Sequence, residues 1–222
     1  MNVRKELEAK GCIYKGHFVG TSGKHLSGYC NNDPIMPHAA IVNDIARLLV
    51  EPFKDAGIET VVAPATGAIP LAHLAALHLK EMTGKDVYAV WADKTKVNGE
   101  KAFIFERSGY AEAVQGKKVL IVEDIINQRF TMTRVIQTVR DAGGDIRGVA
   151  SIEYNRGVSA ESLEVPAYNG LCAITYDAWT PEECAKVGLC SKKEPIVLDI
   201  GHGDAHKAAH PDYPGGYTKL LA

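Results

Sequence analysis

Val119-Leu120-Ile121-Val122-Glu123-Asp124-Ile125-Ile126-Asn127-Gln128-Arg129-Phe130-Thr131 is the stretch on which the fold turns. Four apolar residues end in two adjacent carboxylates. Gly116-Lys117-Lys118 precedes them, and a polar turn and a helical pattern over 132–142 follow. An apolar run this short, bounded by polar residues, reads as a parallel strand buried on both faces. In an open α/β sheet, ligands bind beyond the carboxyl ends of the strands. Glu123 and Asp124 stand at that end, and they are residues that a core does not take. Two carboxylates there can grip sugar hydroxyls or a hydrated divalent cation. The helix that follows opens with free backbone N–H groups, which favour a phosphate. A buried strand and an ordinary turn, with the acids capping the next helix, is the plainer reading of the same residues.

Working outward, strand and helix patterns alternate. A short amphipathic helix is expected over 4–10, closed by Gly11, and a strand over 12–19. Ile41, Ile45, Leu48, Leu49 and Phe53 fall at helical spacing, with Gly57 ending the element. A β-branched strand at 60–63 leads through Pro64-Ala65-Thr66-Gly67-Ala68 into a helix over 69–82. Strands follow at 86–91 and, after the turn signal Asn98-Gly99, at 101–106. Strand 118–122, helix 132–142 and strand 146–154 complete the series. Such alternation implies a mostly parallel sheet covered by helices on both faces. Beyond Asn155 the chain grows richer in Pro, Gly, Cys and His, as a peripheral segment would. The expected division is an N-terminal lobe over 1–36, a core over 37–157 and a C-terminal segment over 158–222 packing on it.

Composition narrows the function classes. At 222 residues the chain is long enough for one α/β domain with a small addition. A net charge of -2 argues against a general nucleic-acid binder. No apolar run is long enough to cross a bilayer, and Met1-Asn2-Val3-Arg4-Lys5 has no signal-like apolar core. Five scattered cysteines fit reduced thiols better than a disulfide framework. A cytoplasmic protein without nucleic-acid or membrane partners is the expectation. Cys184 and Cys190, with five residues between them, read as a structural or unliganded pair rather than a zinc site. His202, His206 and His210 recur every fourth residue, but Gly201, Gly203 and Pro211 around them favour a loosely ordered tail over a metal site.

The acidic strand and its loop resemble the ribose-phosphate signature of the type I phosphoribosyltransferases, where the acids lead into a Thr-Thr-Gly-Gly-Thr/Ser loop. Here the loop reads Asn127-Gln128-Arg129-Phe130-Thr131, and only Thr131 matches. Pro64-Ala65-Thr66-Gly67-Ala68-Ile69-Pro70-Leu71-Ala72 is similar to the family's pyrophosphate loop, with Ala63 and Ala68 in place of glycines. Gly16-His17-Phe18-Val19-Gly20-Thr21-Ser22-Gly23-Lys24-His25 resembles the hood of the orotate branch, and Tyr154-Asn155-Arg156-Gly157 its base-side Asn-Arg-Gly step. Read alone, Lys24-His25 is a solvated turn by preference, and Arg156 is as readily a surface arginine as a bidentate partner for a carboxylate.

The resemblance implies a type I phosphoribosyltransferase fold with a small N-terminal hood, and transfer of ribose 5-phosphate from phosphoribosyl pyrophosphate to orotate. It also implies a Mg²⁺ cofactor and a homodimer. Glu123 and Asp124 would hold the ribose hydroxyls, and the metal directly or through water. Ala65, Thr66, Gly67 and Ala68 would face pyrophosphate; Asn127, Gln128, Arg129 and Thr131 the 5′-phosphate; Lys24, His25 and Arg156 the base. Within the polar connection 93–109, Lys94 and Arg107 would stabilise the leaving group, in a family whose mobile loop reaches the partner's site. The altered phosphate loop leaves two further readings open: a non-catalytic nucleotide-binding regulator of the same fold, and a transferase for another nucleobase.

Overall fold

A computed structural model describes residues 1–97, 99–127 and 129–220, and of Phe130 the backbone alone. In chain order the helices are α1 (Val3–Ala9), α2 (Ala39–Val50), α3 (Ile69–Thr83), α4 (Tyr110–Val114), α5 (Arg129–Asp141), α6 (Ala160–Leu163), α7 (Pro181–Val187) and α8 (Gly203–Ala209). The strands are β1 (Ile13–Val19), β2 (His25–Cys30), β3 (Thr60–Pro64), β4 (Tyr88–Val97), β5 (Glu100–Ile104), β6 (Lys118–Ile126) and β7 (Asp145–Asn155). β8 (Tyr168–Ile174), β9 (Ala178–Trp179), β10 (Ile196–Val197) and β11 (Tyr217–Thr218) follow. No helix among the described residues is long and apolar enough to cross a membrane.

The chain divides into two compact units, one of residues 1–6 and 32–174, the other of 7–31 and 175–222. This differs from the three-part division expected from composition. The boundary drawn after residue 157 falls inside the first unit, because β8 pairs in parallel with β7 and forms an edge of its sheet. The residues after 174 share a unit with the N-terminal hairpin.

The first unit holds a six-stranded sheet ordered β5-β4-β3-β6-β7-β8, parallel except for the β4–β5 hairpin at one edge. β3 and β6 lie side by side, while the chain leaves β3 toward β4 and leaves β6 toward β7. That reversal is the topological switch point at which open α/β sheets bind ligands. Met132, Val135, Ile136 and Val139 of α5 recur at helical spacing and pack on Val62, Val119, Ile121 and Val149 of the sheet. Burying each such side chain stabilises the fold by roughly 1.5–3 kcal/mol. On the opposite face α2 and α3 pack together. α3 is the helix expected over 69–82: Pro70 lies in its first turn, and Gly84, at φ 71°, closes it by donating to the Lys80 carbonyl.

The expected hairpin is present as β4–β5, with Val97 paired to Glu100. Its turn residue Asn98 lies outside the described residues. The central strand is longer than its apolar run: β6 continues through both acids to Ile126, because pairing with β7 extends to Ile126 opposite Tyr154.

The second unit carries a smaller sheet, ordered β11-β10-β1-β2-β9, over an apolar cluster of Phe18, Leu26, Val197 and Ile200. The C-terminal histidines are not in a loose tail. His206 sits in α8, donor or acceptor to the Tyr217 hydroxyl at 3.1 Å.

Candidate functional site

Strand alternation gives the two acids different surroundings. Glu123 points into the protein and is 7% exposed, whereas Asp124 is half-buried. The Glu123 Oε1 accepts from the Asp124 N–H at 3.0 Å, and the Asp124 Oδ1 accepts from the Ile125 N–H at 2.9 Å. Burial, and then the charge of Asp124 beside it, push the Glu123 carboxyl well above the usual carboxylate range. Burial thus favours the neutral form of Glu123, while Asp124 lies half-buried at the strand end.

The loop after β3 meets that neighbour. A Cβ on Gly67 would lie 3.0 Å from Asp124 Oδ2, so only glycine lets the loop approach the carboxylate this closely. Ala65 is buried and donates its N–H to the Ala92 carbonyl at 2.9 Å; the Ala65–Thr66 peptide is cis. Thr66 and Gly67 are exposed and Ala68 is buried immediately before α3. Two loops read separately in the sequence are thus in contact at the switch point, each running into a helix N-terminus. Asn32, 1% exposed, donates to the Asp124 carbonyl at 3.1 Å and braces the strand end from below. The sequence reading assigned Asn32 no such role.

Basic groups gather on the β4–β5 side. Lys101 Nζ donates to Thr131 Oγ1 at 3.2 Å, and Arg134 pairs with Glu100 at 2.6 Å while donating to the Lys101 carbonyl. Burial, then the charges of Lys94 and Arg134, lower the Lys101 ammonium's pKa, and the Glu123 charge opposes them. Lys94 itself is exposed. Arg107, also exposed, lies over the Trp91 ring at 4.9 Å with its Nε 3.6 Å from Asp93 Oδ2, an ion pair outside hydrogen-bond reach. Lys101 belongs to the polar connection 93–109 but was not singled out within it, and Arg134 went unread, because nothing in the sequence showed that the hairpin would lie beside α5.

The remaining expected residues are distributed as follows. Asn127 and Arg129 are exposed, and the Arg129 guanidinium donates to the Ser162 carbonyl at 3.3 Å. Gln128 lies outside the described residues. Arg156 is exposed just past β7, in a turn where the Asn155 side chain accepts from the Gly157 N–H at 3.2 Å. In the second unit Lys24 is exposed, but His25 is 2% exposed, with its Nδ1 2.7 Å from the His17 Nε2. The His25 ring is enclosed in a side-chain cluster of that unit, not presented at a surface as a base-binding residue would be.

Comparison with known proteins agrees with this geometry. A family profile described as a phosphoribosyl transferase domain matches residues 31–185. The orotate phosphoribosyltransferase of Caldicellulosiruptor saccharolyticus is 30% identical over 185 residues, covering 83% of this chain and 88% of its own. That of Caldanaerobacter subterraneus is 31% identical, with 83% and 88% covered. Among solved structures, the orotate phosphoribosyltransferase of Aeropyrum pernix superposes with a TM-score of 0.61 at 20% identity, over 78% of this chain and 94% of that one. A phosphoribosyltransferase from Corynebacterium diphtheriae gives 0.58 at 21% identity, over 78% and 96%.

Proposed function

The chain belongs to the phosphoribosyltransferase family, and from that premise we propose that it transfers ribose 5-phosphate from phosphoribosyl pyrophosphate to orotate, releasing pyrophosphate. The observation that carries the reading is the contact of Asp124 with Gly67 between two helix-opening loops at the switch point. Relatives of near-equal length that bear this activity's name support the choice of base.

In this reading the half-buried Asp124 carboxylate accepts from the ribose hydroxyls and holds the sugar over the strand end. The amides of Thr66, Gly67 and Ala68 face the pyrophosphate, where helix α3 adds the positive end of its dipole. The amides opening α5, with Thr131 and Lys101, receive the 5′-phosphate. Arg129, whose guanidinium donates to the Ser162 carbonyl at 3.3 Å, contributes less there than Lys101. Lys94 and Arg107 stabilise charge on the departing pyrophosphate, and Lys24 and Arg156 serve the base. The donor set fits Mg²⁺ through Asp124, an oxygen ligand at the sheet edge; Glu123, buried and with its carboxyl pushed well above the usual carboxylate range, fits a hydrogen-bonding role better than ligation. Bound with the substrate phosphates, Mg²⁺ would neutralise pyrophosphate charge. We further place the enzyme in the cytoplasm as a homodimer, with the β4–β5 hairpin extending toward the partner's site.

Orotate consumption with phosphoribosyl pyrophosphate and Mg²⁺, followed in both directions, tests this. Turnover is expected, with a loss of at least about 100-fold in Asp124→Asn, the scale of removing a group that acts in the transition state. Turnover unchanged in that variant would sink the assignment of Asp124. Binding of phosphoribosyl pyrophosphate without pyrophosphate release would instead favour the regulator, and preference for another base in a substrate panel would replace orotate.

A further inference from the structure

The second unit brings together four ligand-bearing side chains from distant parts of the chain. His17 is on β1, His25 opens β2, Cys184 is in α7, and Cys190 follows in the next turn. One atom from each lies within 4.8 Å of all the others. His17, His25 and Cys184 are buried and Cys190 is half-buried. We propose that His17, His25, Cys184 and Cys190 form a tetrahedral zinc site that fastens the two chain segments of this unit.

The distances suit that ion. Metal–nitrogen bonds of about 2.0–2.1 Å and metal–sulfur bonds of about 2.3 Å give a tetrahedron with nitrogen–sulfur edges of roughly 3.5 Å. Cys184 Sγ is 3.7 Å from His17 Nε2, and Cys190 Sγ is 3.8 Å from His17 Nε2 and 3.3 Å from His25 Nδ1. The two ring nitrogens, at 2.7 Å, must open by about half an ångström to reach their own edge of roughly 3.3 Å. Two thiolates and two imidazoles are a donor set that selects zinc among the common cations.

The surroundings orient the ligands as a metal requires. His17 Nδ1 lies 3.0 Å from the Glu194 carbonyl, so this nitrogen carries the proton and Nε2 turns its lone pair to the centre. Tyr213 donates to the same carbonyl at 2.9 Å and fixes it. The Cys190 N–H donates to Cys184 Sγ at 3.2 Å, a contact that orients that sulfur within the cluster. A cleft lined by His25, Cys190, His206 and Tyr213 gives an entry path. The need for a fastening is physical: the apolar cluster of this unit is small, and units with little core are commonly closed by a metal or disulfides. All five cysteines are free thiols, so no disulfide takes that part.

The test is metal analysis of the full chain purified under reducing conditions without chelator, then reloaded with zinc or cobalt. One zinc per chain is expected, with cobalt giving the intense visible bands of a tetrahedral thiolate complex. Chelation should lower the melting temperature, and zinc should restore it. Cys184→Ser and His17→Gln should each lose stoichiometric zinc. Because those variants can fail to fold, the cobalt spectrum of the native chain stands as an independent reading. Trace metal after reloading, octahedral cobalt, or a Cys184–Cys190 disulfide in the native protein would overturn the proposal. None of these readings depends on transferase activity.

Discussion

Gly67→Ala probes the contact on which the site rests. Gly67 has no left-handed backbone requirement, so alanine meets only the space beside it. Its Cβ would stand 3.0 Å from Asp124 Oδ2 and 3.4 Å from Asp124 Cγ, and the tighter contact must open to about 3.4 Å. The carboxylate or the loop therefore moves by about 0.4 Å. Held off its preferred rotamer, Asp124 would cost about 0.5–1.5 kcal/mol, a fall in melting temperature of roughly 1–6 °C for a chain of this size. The effect on catalysis is larger in proportion. If a misplacement of about 1 Å costs about 100-fold, 0.4 Å costs roughly five- to tenfold in kcat/KM. Steady-state kinetics with phosphoribosyl pyrophosphate varied at saturating orotate reads this directly. Calorimetric affinities for phosphoribosyl pyrophosphate in the native chain, Gly67→Ala, Asp124→Asn and the double variant then close a cycle. Because the substitution acts through the carboxylate, it should weaken binding less in the Asp124→Asn background. A change below twofold in kcat/KM, or full additivity in the cycle, would refute the argument that these two loops work as one site.

Three further outcomes follow from particular contacts. Lys101→Met should raise the KM for phosphoribosyl pyrophosphate about tenfold by removing a charge beside Thr131, while Arg129→Ala should change it less than about threefold, since its guanidinium sits on Ser162; the reverse order would show that Arg129 swings into the phosphate loop. Gly148→Ala places a Cβ 2.3 Å from the Phe53 ring and 3.0 Å from the Ala167 carbonyl, and should destabilise the fold by about 1–3 kcal/mol in urea unfolding, with part recovered by Phe53→Leu. Glu59 accepts from the Lys118 N–H at 3.1 Å, a bond that, with Lys117 nearby, holds its carboxyl below the ordinary 4.5. Its stabilisation is present above pH 4.5 and lost as pH falls through the folded-state value, so Glu59→Gln should cost a few tenths of a kcal/mol at pH 7 and nothing at pH 2; a gap that widened toward acid would contradict that sign.

The strand of Val119–Val122, the acids after it and the glycine loop at 64–68 were legible because each obeys a local rule: apolar burial, the strand-end position, the small-residue turn. What stayed hidden depended on pairing between distant segments. β8 reads Tyr168-Asn169-Gly170-Leu171-Cys172-Ala173-Ile174, a run with weak alternation, and it is a strand because β7 offers it an edge. Gly170 is needed there, for a Cβ would stand 2.4 Å from the Tyr154 ring. The His17–His25–Cys184–Cys190 cluster was illegible for the same reason. Judged by its own spacing, Cys184–Cys190 is a poor zinc pair, and the missing half of the set lies on the N-terminal hairpin.

Charge at the switch point links the hairpin to the proposed reaction. Lys94, Lys101 and Arg134 crowd one another enough to lower the Lys101 ammonium's pKa, with burial the larger cause, and the nearby Glu123 opposes the shift only insofar as it is ionised. Glu123, however, is held toward its neutral form by burial and by Asp124. Burial thus disfavours charge on the acid that would oppose that shift, and the other acid of the pair, Asp124, faces the loop at Gly67. A polyanion relieves clustered cations of this kind, and the Asp124 carboxylate, one oxygen of which accepts from Ile125, can take hydrogen bonds from hydroxyls with the other. Phosphoribosyl pyrophosphate presents both features in one molecule, phosphates at its two ends and hydroxyls between them. That match supports the proposed substrate, and in that reading Lys101 and Thr131, 3.2 Å apart, add donors to a loop that lacks the family's glycines.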